Sequence, residues 1–218
     1  MMSALWLFRA APYLYVLQDR VLKLIFSLDN EFYLTGGTAL HRFYYDARYS
    51  DDLDFFTNYS NRFFYATKNI ISNLKKEFNV KIEIESKDFL RLMVNNILQV
   101  DFVNDRVPRY KEPKVLENGF IIDNIENILS NKITAVIGRD NPKDIFDIYL
   151  ISKFYNINWQ DIISSAKDKL EFSIDELIVR LVSFPQELFK NINLIDKNFL
   201  DDFEKEFPKI IEQIKKAS

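Results

Sequence analysis

The hydrophobic period of this chain changes once, near residue 124, and that change limits the folds open to it. Before it come runs that alternate or are briefly apolar, "DLDFFT", "VKIEIES", "RLMV" and "ILQVDFV", which have the period and content of strands. Helical spacing appears among them at Leu14, Leu17, Val21, Leu24, Ile25 and Leu28, and again at Phe63, Thr67, Ile70, Leu74 and Phe78, a stretch that Ser60 is placed to cap. Beyond residue 124 only the helical period remains, in "NIENILSNKITAVIGR", "PKDIFDIYLISKFY", "NWQDIISSAKDKL", "SIDELIVRLVSF" and "KNFLDDFEKEFPKIIEQIKKA". The pattern predicts an α+β protein. A mixed-sheet domain with an N-terminal helix is expected over residues 1–122 and a C-terminal helical bundle over residues 123–218. Residues 104–118, charged and carrying Pro108 and Pro113, read as a loop leading to the short "GFII" segment.

Composition narrows the chemistry. A chain of 218 residues, 48% hydrophobic, can fill the core of one large domain or two small ones. It has no cysteine and a single histidine, His41, so any metal must rest on carboxylates, which favours Mg²⁺ or Mn²⁺ over zinc. His41, without partners of its own kind, reads as a packing or surface residue. No apolar run approaches the roughly 20 residues of a membrane span. The opening "MMSALWLFRAAPYLYVLQ", broken by Arg9 and Pro12, makes a poor signal peptide, and the expectation is a cytoplasmic protein. A net charge of −3 argues against coating nucleic acid by charge alone. The basic residues of "RVPRYKEPK", 106–114, could line an RNA path, though a solvated loop is the simpler reading.

Glycine is scarce, four in the whole chain, yet Gly36 and Gly37 stand together between the predicted strand "EFYLTGG" and the predicted helix "TALHRFYYD". A strand, a glycine turn and a helix beginning at Thr38 would present backbone N–H groups to an anion. Alone, the pair is equally well a tight turn. Sixteen residues after Gly36 comes Asp52, in "SDDLDFF". Strand alternation puts Asp52 and Asp54 on one face and Leu53 and Phe55 on the other, whereas a polar turn is the bland alternative. A phosphate seat followed by a D-x-D strand is what metal-dependent nucleotidyl transfer requires: one element holds the triphosphate, the other its metals. Asp101, inside the apolar "LQVDFV", offers a third carboxylate, costly there unless bound to metal or paired with Arg or Lys. Metal is the favoured reading. Lys132 and Arg139, seven apart, share a helix face, and Asp144 and Asp147 share another at i, i+3. The two cations could meet a triphosphate, or all four could be an ion-pair network pinning two helices. Arg48 is read as a phosphate contact or a loop brace, and Ser50 as a nucleotide contact or, preferably, a turn residue.

Taken in order, "GGTAL", "RYSDDLDFF", "VDFV" and "KITAVIGRDNPKDIFDIYLI" resemble the AbiEii/AbiGii-type nucleotidyltransferases over residues 33 to 151. That branch of the polymerase-β-like superfamily includes type IV toxin–antitoxin toxins and the MenT toxins. The resemblance implies a mixed-sheet nucleotidyltransferase domain followed by helices, acting on an NTP with Mg²⁺ or Mn²⁺. It implies that Asp52 and Asp54 hold metal with Asp101 as third carboxylate, and that Gly36, Gly37 and Thr38 form the triphosphate loop, with Arg48 and Ser50 at an R-x-S position. It further implies that Lys132 and Arg139 are the helix lysine and its accompanying arginine, and that Asp144 and Asp147 are the acids of a D-x-x-D segment, Asp147 being catalytic. In the toxin branch it implies transfer to tRNA 3′ ends and a cognate antitoxin. Rival readings are a small-molecule or protein acceptor, or a nucleotide-binding regulator with weak catalysis.

Overall fold

The structure, a computed structural model, describes residues 5–28 and 31–217, with side chains from Tyr13 onward. The elements run α1 (Leu5–Phe26), β1 (Tyr33–Thr35), α2 (Gly36–Phe43), β2 (Leu53–Asn58), α3 (Phe63–Glu77), β3 (Val80–Glu85), β4 (Phe89–Val94), β5 (Leu98–Asp105), β6 (Lys114–Val115) and β7 (Ile121–Ile122). Helices then follow: α4 (Ile125–Gly138), α5 (Pro142–Phe154), α6 (Trp159–Lys167), α7 (Ile174–Val182), a 3₁₀ turn (Gln186–Asn191) and α8 (Phe203–Lys216). This is the α+β arrangement predicted from the change of period. Among the described residues no helix is long and apolar enough to cross a membrane.

The chain divides into two compact units. One comprises residues up to Tyr44, Tyr49–Pro108 and Pro113–Asp123; the other comprises Tyr45–Arg48, Arg109–Glu112 and residues from Asn124 onward. In the first, the strands form one sheet in the order β3-β4-β5-β2-β1-β7-β6. β2 and β5 are parallel, as are β1 and β7, and the remaining neighbours are antiparallel. Burial alternates along β2, with Leu53, Phe55 and Thr57 buried and Asp54, Phe56 and Asn58 partly exposed. The buried face lies under α1 and α3: Phe26 packs edge-on to Phe55 at 5.6 Å, Phe32 bridges Phe63 and Phe102 at 5.8 and 5.1 Å, and Phe55 stacks on Phe102 at 5.2 Å. Such pairs add about 0.5–1.5 kcal/mol each beyond the area they bury.

Several local details differ from the sequence expectation. α2 begins at Gly36, two residues before the expected Thr38. Ser60 does not cap α3; its hydroxyl accepts the backbone N–H of Arg62 at 3.1 Å and donates to Glu31, closing the turn ahead of the helix. Within the stretch read as loop, Lys114–Val115 pairs with Ile121–Ile122 as a short hairpin around Gly119, at φ +82°. Asn95 and Asn96, both at positive φ, turn β4 into β5; asparagine tolerates that region better than other side chains.

In the helical unit α4 packs against α5, α6 and α7, and Tyr149 of α5 gathers Phe199, Phe203 and Phe207 at 5.0–6.4 Å. Asn124 starts α4: its side chain accepts the N–H of Asn127 and donates to the carbonyls of Lys111 and Glu112 at 3.0 and 3.2 Å. A lost N-cap costs about 1 kcal/mol and each lost hydrogen bond about 1 kcal/mol more. Asn124→Ala should therefore lower stability by about 2–3 kcal/mol in urea titrations, and a loss below that of an ordinary surface substitution would show that these bonds contribute nothing net.

Candidate active site

Register assembles the polar face of the sheet into a row. Thr35 of β1 lies opposite Asp54 of β2, Asp54 opposite Asp101 of β5, and Asp101 opposite Arg91 of β4. Directly paired residues on neighbouring strands project to the same side at about 4.7–4.9 Å spacing between strands, so Asp54, Asp101 and Arg91 share one face. Asp101 is 6% exposed. Arg91 grips it with both arms, Nε to Oδ1 at 2.9 Å and a terminal amine to Oδ2 at 2.6 Å, while Gln99 donates to Oδ2 at 3.1 Å. The hydrogen bond to Asp101 holds the Arg91 guanidinium above its ordinary range, with Glu83 and Asp54 adding to the pull. Arginine pairing, the alternative set aside in reading "LQVDFV", is thus what Asp101 has.

The glycine turn packs directly on the D-x-D segment. Gly36 has φ +71°, and a Cβ there would stand 2.4 Å from Oδ2 of Asp54, so only glycine lets the loop lie against that carboxylate. The Thr38 hydroxyl donates to the Asp52 carbonyl at 2.5 Å, and the Ser50 hydroxyl lies 3.4 Å from the Asp52 carboxylate. Asp52 precedes the first rung of β2, which is Leu53 against Val100. The strand argument for Asp52 is corrected accordingly: its carbonyl faces Thr38 and it is placed by the loop, not by the ladder. Ser50 is buried, its carbonyl receiving Gln18 at 2.9 Å and its N–H donating to the Tyr15 hydroxyl at 3.2 Å. Thr35, the residue before α2, caps nothing with its side chain, because its hydroxyl donates to Asp123 at 2.6 Å. Gly37, Thr38 and His41 are buried within α2.

The other sequence candidates meet in the helical unit. Lys132 of α4 reaches both acids of α5, Asp144 at 2.8 Å and Asp147 at 2.7 Å. Arg139 forks onto Asp144 at 2.7 and 3.1 Å, and Arg48 forks onto Asp147 at 2.8 and 2.7 Å. Both aspartates are fully buried and Arg48 is 1% exposed, whereas the Arg139 side chain is 58% exposed. Burial pushes the Lys132 ammonium down, but the charges of Asp147 and Asp144 outweigh it and leave the group above its ordinary value. Burial likewise raises Asp144, and the Lys132 charge with the Arg139 hydrogen bond more than reverses that. The ion-pair alternative weighed for these residues is therefore realised. Of the basic stretch after residue 105, Arg106 pairs with Asp88, Arg109 with Glu112 and Lys111 with Glu126.

Arg91 and Asp123 are among the partners that escaped the sequence reading, with Gln99, Gln18 and Tyr15. Arg91 lay in "RLMV", taken only as a strand, and Asp123 in an unassigned junction. For Arg91 the available signal was its lone charge in an apolar strand, the same signal that singled out Asp101.

A family profile described as the AbiEii nucleotidyl transferase toxin of type IV toxin–antitoxin systems matches residues 21–216. This chain belongs to that family. The AbiEii-family chain is 30% identical over 184 residues to an uncharacterized protein of Aquifex aeolicus, aq_aa25, covering 80% of this chain and 86% of the relative. Its fold is similar to that of JHP933 from Helicobacter pylori (TM-score 0.65, 23% identity, covering 95% of this chain and 91% of that one). It is similar as well to that of MenT4, a nucleotidyltransferase toxin of Mycobacterium tuberculosis (TM-score 0.57, 18% identity, covering 79% and 66%). The AbiEii chain is accordingly a nucleotidyltransferase of a toxin family.

Two expectations follow from the geometry. Gly36→Ala adds about 1–3 kcal/mol of backbone strain and drives a methyl into Asp54, so the protein should fold yet lose about 10²-fold in transfer rate; near-normal transfer would show that Asp54 needs no fixed position. Asp144, held below its ordinary 3.8, contributes stability that is complete above that pH and disappears as the pH falls through its lower folded value. The stability gap between wild type and Asp144→Asn should therefore be constant near neutrality and narrow below pH 3.8, as followed by denaturant titration; a gap that stays constant into acid would contradict the network's electrostatics.

Proposed function

We propose that this AbiEii-family protein transfers an NMP from an NTP to an acceptor hydroxyl, the 3′ end of tRNA, releasing pyrophosphate, and that it acts in the cytoplasm as the toxin of a type IV-like pair with an antitoxin partner. The observation that supports the reading is the close approach of the Gly36 turn to the Asp54 carboxylate, a glycine turn suited to phosphate beside an acid suited to a metal ion.

The residues fit a hard divalent cation. Asp52 and Asp54 supply carboxylate oxygens beside the loop, and Mg²⁺ is typically held by one or two carboxylates together with substrate phosphates and waters. Among the described residues no cluster of three or more His, Cys, Asp or Glu side chains is arranged to hold a metal by itself. A bound Mg²⁺ or Mn²⁺ would neutralise phosphate charge and increase the reactivity of the attacking hydroxyl. The chain's own contribution is positional. Gly36, Gly37 and Thr38 open α2 with backbone N–H groups that no side chain from Thr35 caps, a seat for phosphate oxygens. Thr38 ties that seat to the Asp52 backbone through its hydroxyl. Ser50, gripped by Gln18 and Tyr15, fixes the approach to Asp52.

For the helical unit we propose that Lys132, Asp147, Asp144, Arg48 and Arg139 act as one charged body. Three cations face two carboxylates, and Arg139, paired with Asp144 yet with its side chain 58% exposed, is the one placed at the surface to meet a phosphate ligand. Lys132 and Asp147 then serve by positioning as much as by contact. The family supports nucleotidyl transfer by a toxin; the tRNA 3′ end is our reading of the acceptor, carried over from the resemblance.

Asp52→Asn and Asp54→Asn should each abolish incorporation of labelled NTP into RNA while leaving the circular dichroism spectrum unchanged, and Asp52→Asn should abolish growth arrest on expression in a bacterium. Transfer at the wild-type rate in either variant would refute the metal assignment; a wild type that transfers nucleotide but is harmless would remove the toxin role alone.

A further inference from the structure

The row of paired residues contains a cation where a metal ligand was expected. Asp101 stands beside Asp54 on the neighbouring strand, yet Arg91 and Gln99 direct three hydrogen bonds onto its two oxygens. A carboxylate offers about four lone-pair sites, so little of Asp101 is left for an ion. The grip is built into the sheet. Arg91 and Asp101 are directly opposed across the β4–β5 ladder, and the guanidinium also lies 5.5 Å from the Phe89 ring centroid. Asp101 is nearly buried, with a side chain 9% exposed against 31% for Arg91, and stripping its partner would leave a carboxylate with poor access to water.

Resting on the metal reading above, we propose that Arg91 withholds Asp101 from the metal site, so that nucleotide-free protein offers a divalent ion only Asp52 and Asp54. Arg91 is a positioning residue: it keeps a fixed cation in the row two strands from Asp54 and makes tight metal binding depend on the triphosphate that arrives with the ion.

The test is Mn²⁺ binding to the full chain without nucleotide, by isothermal titration calorimetry or by loss of the free-Mn²⁺ electron paramagnetic resonance signal. Arg91→Met should tighten Mn²⁺ about ten-fold, the scale on which partners of metal ligands act. Adding Asp101→Asn should remove that gain and return the affinity to near the wild-type value. Loss of positive charge alone would act equally with or without Asp101, so equal tightening on both backgrounds overturns the proposal. Unchanged affinity in Arg91→Met overturns it as well, as does a double variant binding about ten-fold more weakly than wild type, which would make Asp101 a ligand even while paired. Asp54→Asn is the control for the underlying reading. It should weaken Mn²⁺ binding, and an unaffected Asp54→Asn would sink the metal assignment and this proposal with it, whereas the failures above strike the proposal alone.

Discussion

The parallel pairing of β2 with β5 is the constraint from which the active-site face follows. Parallel neighbours cannot be joined by a tight turn, and here the connection runs through α3 and the β3–β4 hairpin before β5 lies down beside β2. The register, Leu53 with Val100 through Asn58 with Asp105, decides which residues go under the helices. Leu53, Phe55, Val100 and Phe102 do, each with 0% exposure. Slipping the register by one residue would turn Asp54 or Asp101 toward Phe26, Phe32 and Phe63, a cost no partner there could offset. Once β2 is fixed, antiparallel β1 brings Thr35 opposite Asp54, and the chain turns at Gly36 because nothing larger fits against that carboxylate.

The two units handle buried charge differently. In the sheet unit Asp101 is held locally, by one guanidinium and one amide on one carboxylate. In the helical unit five charged groups close into a network around two fully buried aspartates. Stability alone does not call for such an arrangement, since buried ion pairs are often no better than apolar residues of the same volume.

The fold class was legible because hydrophobic period is a local property: the alternation in "VKIEIES" and the i, i+3, i+4 pattern of α3 require no knowledge of neighbours. The glycine pair and the D-x-D segment were legible for a related reason, since each concentrates residues that only a turn, an anion or a metal explains. The pairings were not. Arg91 and Asp101 are ten residues apart, and Arg48 and Asp147 ninety-nine apart, and in one dimension any basic residue is a candidate partner for any acid. Asp101 was read as a metal ligand because its burial could be inferred while its partner could not. Ser60 was read as a cap because Ser commonly caps, although here its hydroxyl serves the turn before α3.

By itself, then, the sequence determined the succession of sheet and helices, the residue types able to handle a triphosphate, and the parity that puts Leu53 and Phe55 on the side opposite Asp54. Only the tertiary structure decided which charges meet: strand order and register choose Arg91 for Asp101, and the packing of α4 on α5, with the Arg48 segment beside them, chooses Lys132, Arg139 and Arg48 for the two aspartates. The reason is that the burial of a segment follows from the pattern of apolar residues along it, which sequence carries, whereas a charge pair depends on a distance between residues remote in the chain, which exists only after folding.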